Sequence, residues 1–158
     1  MLKTTNERTA GQKGFTIIEV LIVLAIAGLI LLIVFLAVPA LQRNARNTAI
    51  KNDAASLAGG FAEYSANNDG ASPVAPLAQN GSAITIGVGT TVSKATAKVG
   101  ASTVVTPGKS TPTAFQAGTL YWNTGKDCAG QASPRALSVY YYVESTTPSG
   151  VPKCVEGK

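Results

Sequence analysis

The chain is predicted to be α+β: a long N-terminal helix, transmembrane in its first half and amphipathic in its second, packed on a small antiparallel β-sheet domain. Three observations predict this. Every residue from Val20 to Val38 is apolar or glycine. Ile50, Ala54, Leu57, Phe61 and Tyr64 recur at spacings of 4, 3, 4 and 3, drawing one apolar stripe along a helix. From Ala71 onward the composition turns to Pro, Gly, Ser, Thr and Val. There Leu137, Val139, Tyr141 and Val143 alternate with Ser138, Tyr140, Tyr142 and Glu144, as a strand requires.

The elements follow in chain order. Residues 1–14 are polar, carry no helical stripe, and read as a processing or targeting segment. The nineteen residues Val20–Val38 rise about 28 Å as a helix, close to the thickness of a hydrocarbon core. Pro39 lacks a backbone donor and crowds the preceding turn, so a kink or melted segment is expected there. The stripe from Ile50 argues that the helix resumes, giving one long interrupted helix from residue 15 to about 67. Gly59-Gly60 weakens its distal part, and Asn67-Asn68-Asp69-Gly70 supplies the stop. Strands are expected at Ala83–Val88, Val92–Lys98, Ser102–Val105, Thr119–Trp122 and Ala136–Glu144. One antiparallel sheet laid on the Ile50–Tyr64 stripe buries both apolar faces. Trp122 and the run Tyr140, Tyr141 and Tyr142 read as sheet core and sheet face.

Composition narrows the function. With 158 residues and about forty of them committed to the apolar helix, only about a hundred remain for a folded domain. A domain that small is marginal on burial alone and gains from a crosslink. Net charge is +5, and removal of residues 1–14 leaves +3. The bases are dispersed without aromatic interleaving, which argues against nucleic-acid binding by this chain alone. Lys3, Arg8 and Lys13 before the apolar run balance Arg43, Arg46 and Lys51 after it, so flanking charge sets no orientation. The chain has two cysteines and no histidine. Cys128 and Cys154 form one disulfide if the chain is exported and remain thiols if it is not. No zinc site is expected from two thiols alone. A serine–histidine or cysteine–histidine pair cannot be built, and no phosphate-binding loop is present. No catalytic activity and no cofactor are expected.

One junction carries more than composition does. Lys13-Gly14-Phe15-Thr16-Ile17-Ile18-Glu19-Val20 sets one carboxylate five residues after a glycine, at the threshold of the apolar run. A carboxylate there is costly in a bilayer and calls for a partner. Together these residues resemble the amino terminus of type IV pilins and related pseudopilins.

The resemblance implies a division into a cleaved leader (1–14), a transmembrane and filament-core helix (15–41), its amphipathic continuation (42–70) and a β-rich globular head (71–158). It implies cleavage after Gly14 by a prepilin peptidase and N-methylation of the new terminus, Phe15. Glu19 would pair with an amino terminus, its own or a neighbour's, during assembly. Gly28 and Pro39 would be points of helix break. Cys128 and Cys154 would close a carboxy-terminal disulfide loop. Implied partners are identical subunits in a helical filament, the peptidase, an assembly platform protein and an assembly ATPase. The implied route runs from the inner (cytoplasmic) membrane as a single-pass prepilin to a cell-surface pilus. A pseudopilin of a secretion or DNA-uptake system would share residues 14–41. A secreted binding domain cut after Ala40, or an uncleaved membrane-anchored one, would share none of the assembly chemistry.

Overall fold

The structure is a computed structural model and describes residues 14–73, 77–87, 94–100, 104–107, 118–145 and 150–157. The expected leader residues 1–13 lie outside these, as do parts of several expected strands. The chain divides into two compact units, 1–40 and 41–158. Helix α1 (Ile17–Asn67) contributes to both.

In the first unit every side chain from Gly14 to Ala40 is exposed. The helix there is long and apolar enough to cross a membrane. Helix α1 is continuous through Gly28 and Pro39, so neither position is a melted segment. The physical reason is local. Gly28 costs about 1 kcal/mol relative to alanine without cutting any hydrogen bond. Pro39 removes one i→i−4 bond, while the bonds on either side hold the turn.

In the second unit α1 continues from Leu41 to Asn67. Its buried residues are Ile50, Ala54, Leu57, Ala58, Gly60, Phe61 and Tyr64, the predicted stripe with two small neighbours added. The helix ends where Gly70 N–H reaches back to the Ser65 carbonyl (2.8 Å) and Asn68 Nδ2 donates to the Tyr64 carbonyl (2.8 Å). Asp69 and Gly70 take positive φ there (54° and 77°), the left-handed stop that Asn, Asp and Gly tolerate.

Among the described residues seven strands form two sheets rather than the one expected. Strands β1 (Ala78–Asn80), β2 (Ala83–Ile86) and β3 (Ala95–Lys98) make an antiparallel sheet in that order. Strands β4 (Val104–Pro107), β5 (Thr119–Lys126), β6 (Ala132–Val143) and β7 (Val151–Gly157) make the second sheet, also in chain order. Its β4–β5 pair is parallel, which makes the sheet mixed and corrects the purely antiparallel expectation. β1 and β7 were not expected as strands. β1 is short and polar, and β7 contains Pro152, which an outer strand tolerates. β2 stops at Ile86 because Gly87 turns to φ 91°. β5 runs four residues past Trp122, with a register shift between Thr124 and Lys126 around Gly125 (φ 77°). β6 begins earlier than expected, at Ala132, paired with Lys126 across that shift.

The core joins the α1 stripe to both sheets: Ile84, Ile86, Ala95 and Ala97 from one, Leu120, Trp122, Leu137, Val139 and Tyr141 from the other. Phe61 meets Trp122 with ring centroids 5.5 Å apart. Two glycines set close approaches. A Cβ on Gly60 would stand 2.9 Å from Ile86 Cδ1 and 3.0 Å from Ala97 Cβ, so the first sheet lies directly against the helix. One on Gly157 would stand 3.0 Å from the Ala58 carbonyl oxygen, where the end of β7 docks. The outer strand β3 is closed by helix side chains: Lys98 N–H donates to Ser56 Oγ (3.2 Å) and Gly100 N–H to Asp53 Oδ2 (2.9 Å). Such covering blunts an otherwise open sheet edge. Ser138, Tyr140 and Tyr142 on the alternate face of β6 are buried as well, so this sheet is covered on both faces.

Candidate functional site

The first functional group lies at the start of α1. Thr16 stands just before the helix and Glu19 is its third residue, the spacing of a capping box. Thr16 N–H and Thr16 Oγ1–H both donate to Glu19 Oε2 (2.8 Å each), and Glu19 N–H approaches Thr16 Oγ1 (3.4 Å). The carboxylate thus satisfies two donors of its own helix end, where the helix dipole also favours negative charge. The T-x-x-E spacing that announces this is present in the sequence as Thr16 and Glu19. In the uncut chain the Phe15 nitrogen is a peptide nitrogen, so it offers Glu19 no amine.

Phe15 and Glu19 are nonetheless brought together. Both line a shallow apolar cleft with Val20, Val23 and Leu24, one helical turn apart. Phe15 is 88% exposed, and Gly14 has no heavy atom within 4 Å of where a Cβ would stand. The Gly14–Phe15 peptide is therefore open to approach. Gly28 is similarly open, with nothing near its Cβ position.

The second group was not anticipated. Arg46 donates from Nε to Glu144 Oε1 (2.6 Å) and from Nη2 to Oε2 (2.8 Å), a bidentate pair. Its neighbour Asn47 uses its carboxamide as a strand would use its backbone. Nδ2 donates to the Glu144 carbonyl (3.0 Å), and Oδ1 accepts from Glu144 N–H (2.6 Å). Four hydrogen bonds thus tie the helix, before its first buried residue Ile50, to the end of β6. The Arg46 hydrogen bonds hold the Glu144 carboxyl below its ordinary range, aided by the charges of Arg46 and Arg43. The same bonds raise the Arg46 guanidinium.

The third group is the disulfide loop. Cys128 and Cys154 are joined, with Cα atoms 5.7 Å apart. Cys154 lies on β7, opposite Tyr140 of β6. Cys128 lies in a tight turn in which Gln131 N–H donates to Asp127 Oδ1 (2.7 Å) and Gly130 N–H to the Asp127 carbonyl (3.0 Å). Cys128 N–H donates to Glu156 Oε1 (3.0 Å), and Tyr140 Oη–H reaches the Asp127 carbonyl (3.4 Å). The bridge therefore fixes the β5–β6 connection to the last strand.

Residues 9–35 match the family described as Prokaryotic N-terminal methylation motif. No curated protein and no solved structure matches the chain. The matched segment contains the Gly14–Phe15 junction, the capping box and most of the apolar run. The chain thus carries a prokaryotic N-terminal methylation motif, a class III signal peptide, consistent with the type IV pilin and pseudopilin family.

Proposed function

We propose that this chain is a structural subunit of a type IV pilus, made as a prepilin and held in the membrane by the apolar half of α1. A prepilin peptidase cleaves after Gly14 and Phe15 becomes the methylated terminus. The subunit then leaves the inner membrane for a helical surface filament, driven by a platform protein and an assembly ATPase. The observation that carries this reading is the methylation motif leading directly into a helix with no buried side chain from Ile17 to Ala40. A helix that apolar needs a bilayer or other apolar helices around it. In a filament, copies of Val20–Val38 bury one another, which offsets the cost of leaving lipid. The role is structural, not enzymatic.

Glu19 has two successive roles in this reading. In the membrane its carboxylate caps its own helix through Thr16. After cleavage the Phe15 amine, in the same chain or a neighbour, competes for it. Replacing Glu19 with Ala should leave cleavage intact and reduce filament yield at unchanged levels of mature subunit; wild-type yield would reject the pairing role.

The second reading is a pseudopilin of a type II secretion or DNA-uptake system, supported by the same motif. Deleting the chain separates the two. Loss of a visible surface filament, restored by the intact gene, supports the pilin. Loss of secretion or DNA uptake in cells that never show a filament supports the pseudopilin and overturns the pilus reading.

A further inference from the structure

We propose that copies of this chain meet head to tail through oppositely charged ends of the carboxy-terminal unit. This rests on the filament reading above and names one contact within it. The acidic end surrounds a groove of about 570 Å³ beside the last turns of α1, lined in part by Ser65, Asp127, Arg135 and Glu156. Asp127 and Glu156 each accept one neighbouring N–H, from Gln131 and Cys128. The helix adds the negative end of its dipole, with no basic residue in its last turn to offset it. Glu63 and Asp69 lie on the same stretch of chain. Among the described residues these four acids stand against Lys126, Arg135 and, ahead of β3, Lys94, an excess of one acid.

The opposite end has the opposite sign. Arg43, Arg46 and Lys51 lie on the first turns of the helix in this unit, and Lys153 lies on β7 opposite Tyr141. Among the described residues the acids on this side are Asp53 and Glu144, and Glu144 is engaged by Arg46. Contacts along the helix fix which end is which: Asn47 touches Glu144, the end of β7 meets Ala58, and Arg135 lies over Gly70. The twenty residues between Arg46 and Ala66 separate the two ends by about 30 Å of helix.

A surface that complements a different surface on its own copy makes a heterologous contact. Unless its rotation closes a ring, such a contact propagates into an open filament. Charge complementarity fixes the register of that contact and rejects the reversed orientation. The occupant of the acidic groove is thus the basic end of the next copy.

The test is a charge swap in the full-length chain, expressed in cells lacking the native gene. Sheared filament is measured per mature subunit, with the Cys128–Cys154 bridge checked in each variant. Reversing the acidic end (Glu63→Lys with Glu156→Lys) or the basic end (Arg43→Glu with Lys51→Glu) should each cut filament yield about tenfold or more. Combining both reversals in one chain should restore it. A combined variant no better than the worse single-end variant overturns the proposal, and so do single-end variants with unchanged yield. If the reversed chains fail to accumulate, a milder cycle decides by the same outcomes. It uses Glu63→Lys and Lys51→Glu alone, two exposed helix residues with no bonded partner among the described residues. A wild-type chain that forms no filament overturns the filament reading itself, a different result from either.

Discussion

The two halves of helix α1 contrast two ways in which a helix can be stable. From Ile17 to Ala40 no side chain is buried, and the segment depends on an apolar surrounding supplied by something else. From Leu41 to Asn67 one face is buried against two sheets, and the segment is held by its own chain. Two phenylalanines state the difference. Phe35 is 75% exposed and Phe61 is 1% exposed, on the same helix. An apolar side chain is thus a core residue in one half and part of an exposed apolar surface in the other.

The largest effect that would break this comparison is at Phe61. Phe61→Ala should destabilise the carboxy-terminal unit by about 3–5 kcal/mol, because it removes the ring packed on Trp122 and leaves a cavity. Phe35→Ala should leave the denaturation midpoint of that unit unchanged. Equal shifts from both, followed by Trp122 fluorescence, would show that the halves are not held differently.

The next effect sharpens the contrast within one glycine pair. A methyl group on Gly60 would stand 2.9 Å from Ile86 Cδ1 and 3.0 Å from Ala97 Cβ and must push both aside, whereas Gly59 faces open space. Gly60→Ala should destabilise the unit by about 1–3 kcal/mol through overpacking. Gly59→Ala should stabilise it by up to about 1 kcal/mol, since alanine is the better helix former. Thermal unfolding of the two variants must move in opposite directions for this account to hold.

A smaller effect concerns the Arg46–Asn47–Glu144 clamp. The folded Glu144 carboxyl is held below its unfolded value. It therefore contributes stability that is present above the ordinary carboxylate range and is lost as pH falls through the lowered folded value. The window opens below about pH 4.5. Glu144→Gln should flatten the stability profile in that window, and added salt should reduce the wild-type contribution because Arg46 is largely exposed. A Glu144→Gln profile parallel to wild type would show that another group titrates there.

How much of this was legible in the sequence depends on how local each signal is. The Ile50–Tyr64 stripe repeats every three or four residues, so its buried face could be read directly. The stop at Asn68–Gly70 and the alternation of Leu137, Val139 and Tyr141 were legible for the same reason. Strand pairing is a long-range choice, and the two-sheet division and the parallel β4–β5 pair left no local trace. Glu144 lies 98 residues from Arg46, beyond any pattern of spacing. Ser138, Tyr140 and Tyr142 alternate as a solvent face would, yet are buried. At the candidate site, Gly14, Phe15 and Glu19 stood out because a carboxylate beside a membrane-length helix is rare. Thr16 does not stand out because threonine is common and its role appears only with the Glu19 contact.

The central claim is that the exposed half of α1 begins a processed filament subunit. The most direct measurement is the intact mass and terminal sequence of the mature chain isolated from its own cells. A chain that begins at N-methylated Phe15 is the predicted result. A chain that begins at Leu41 or retains Met1 would contradict it, leaving a secreted domain in the first case and an uncleaved anchor in the second.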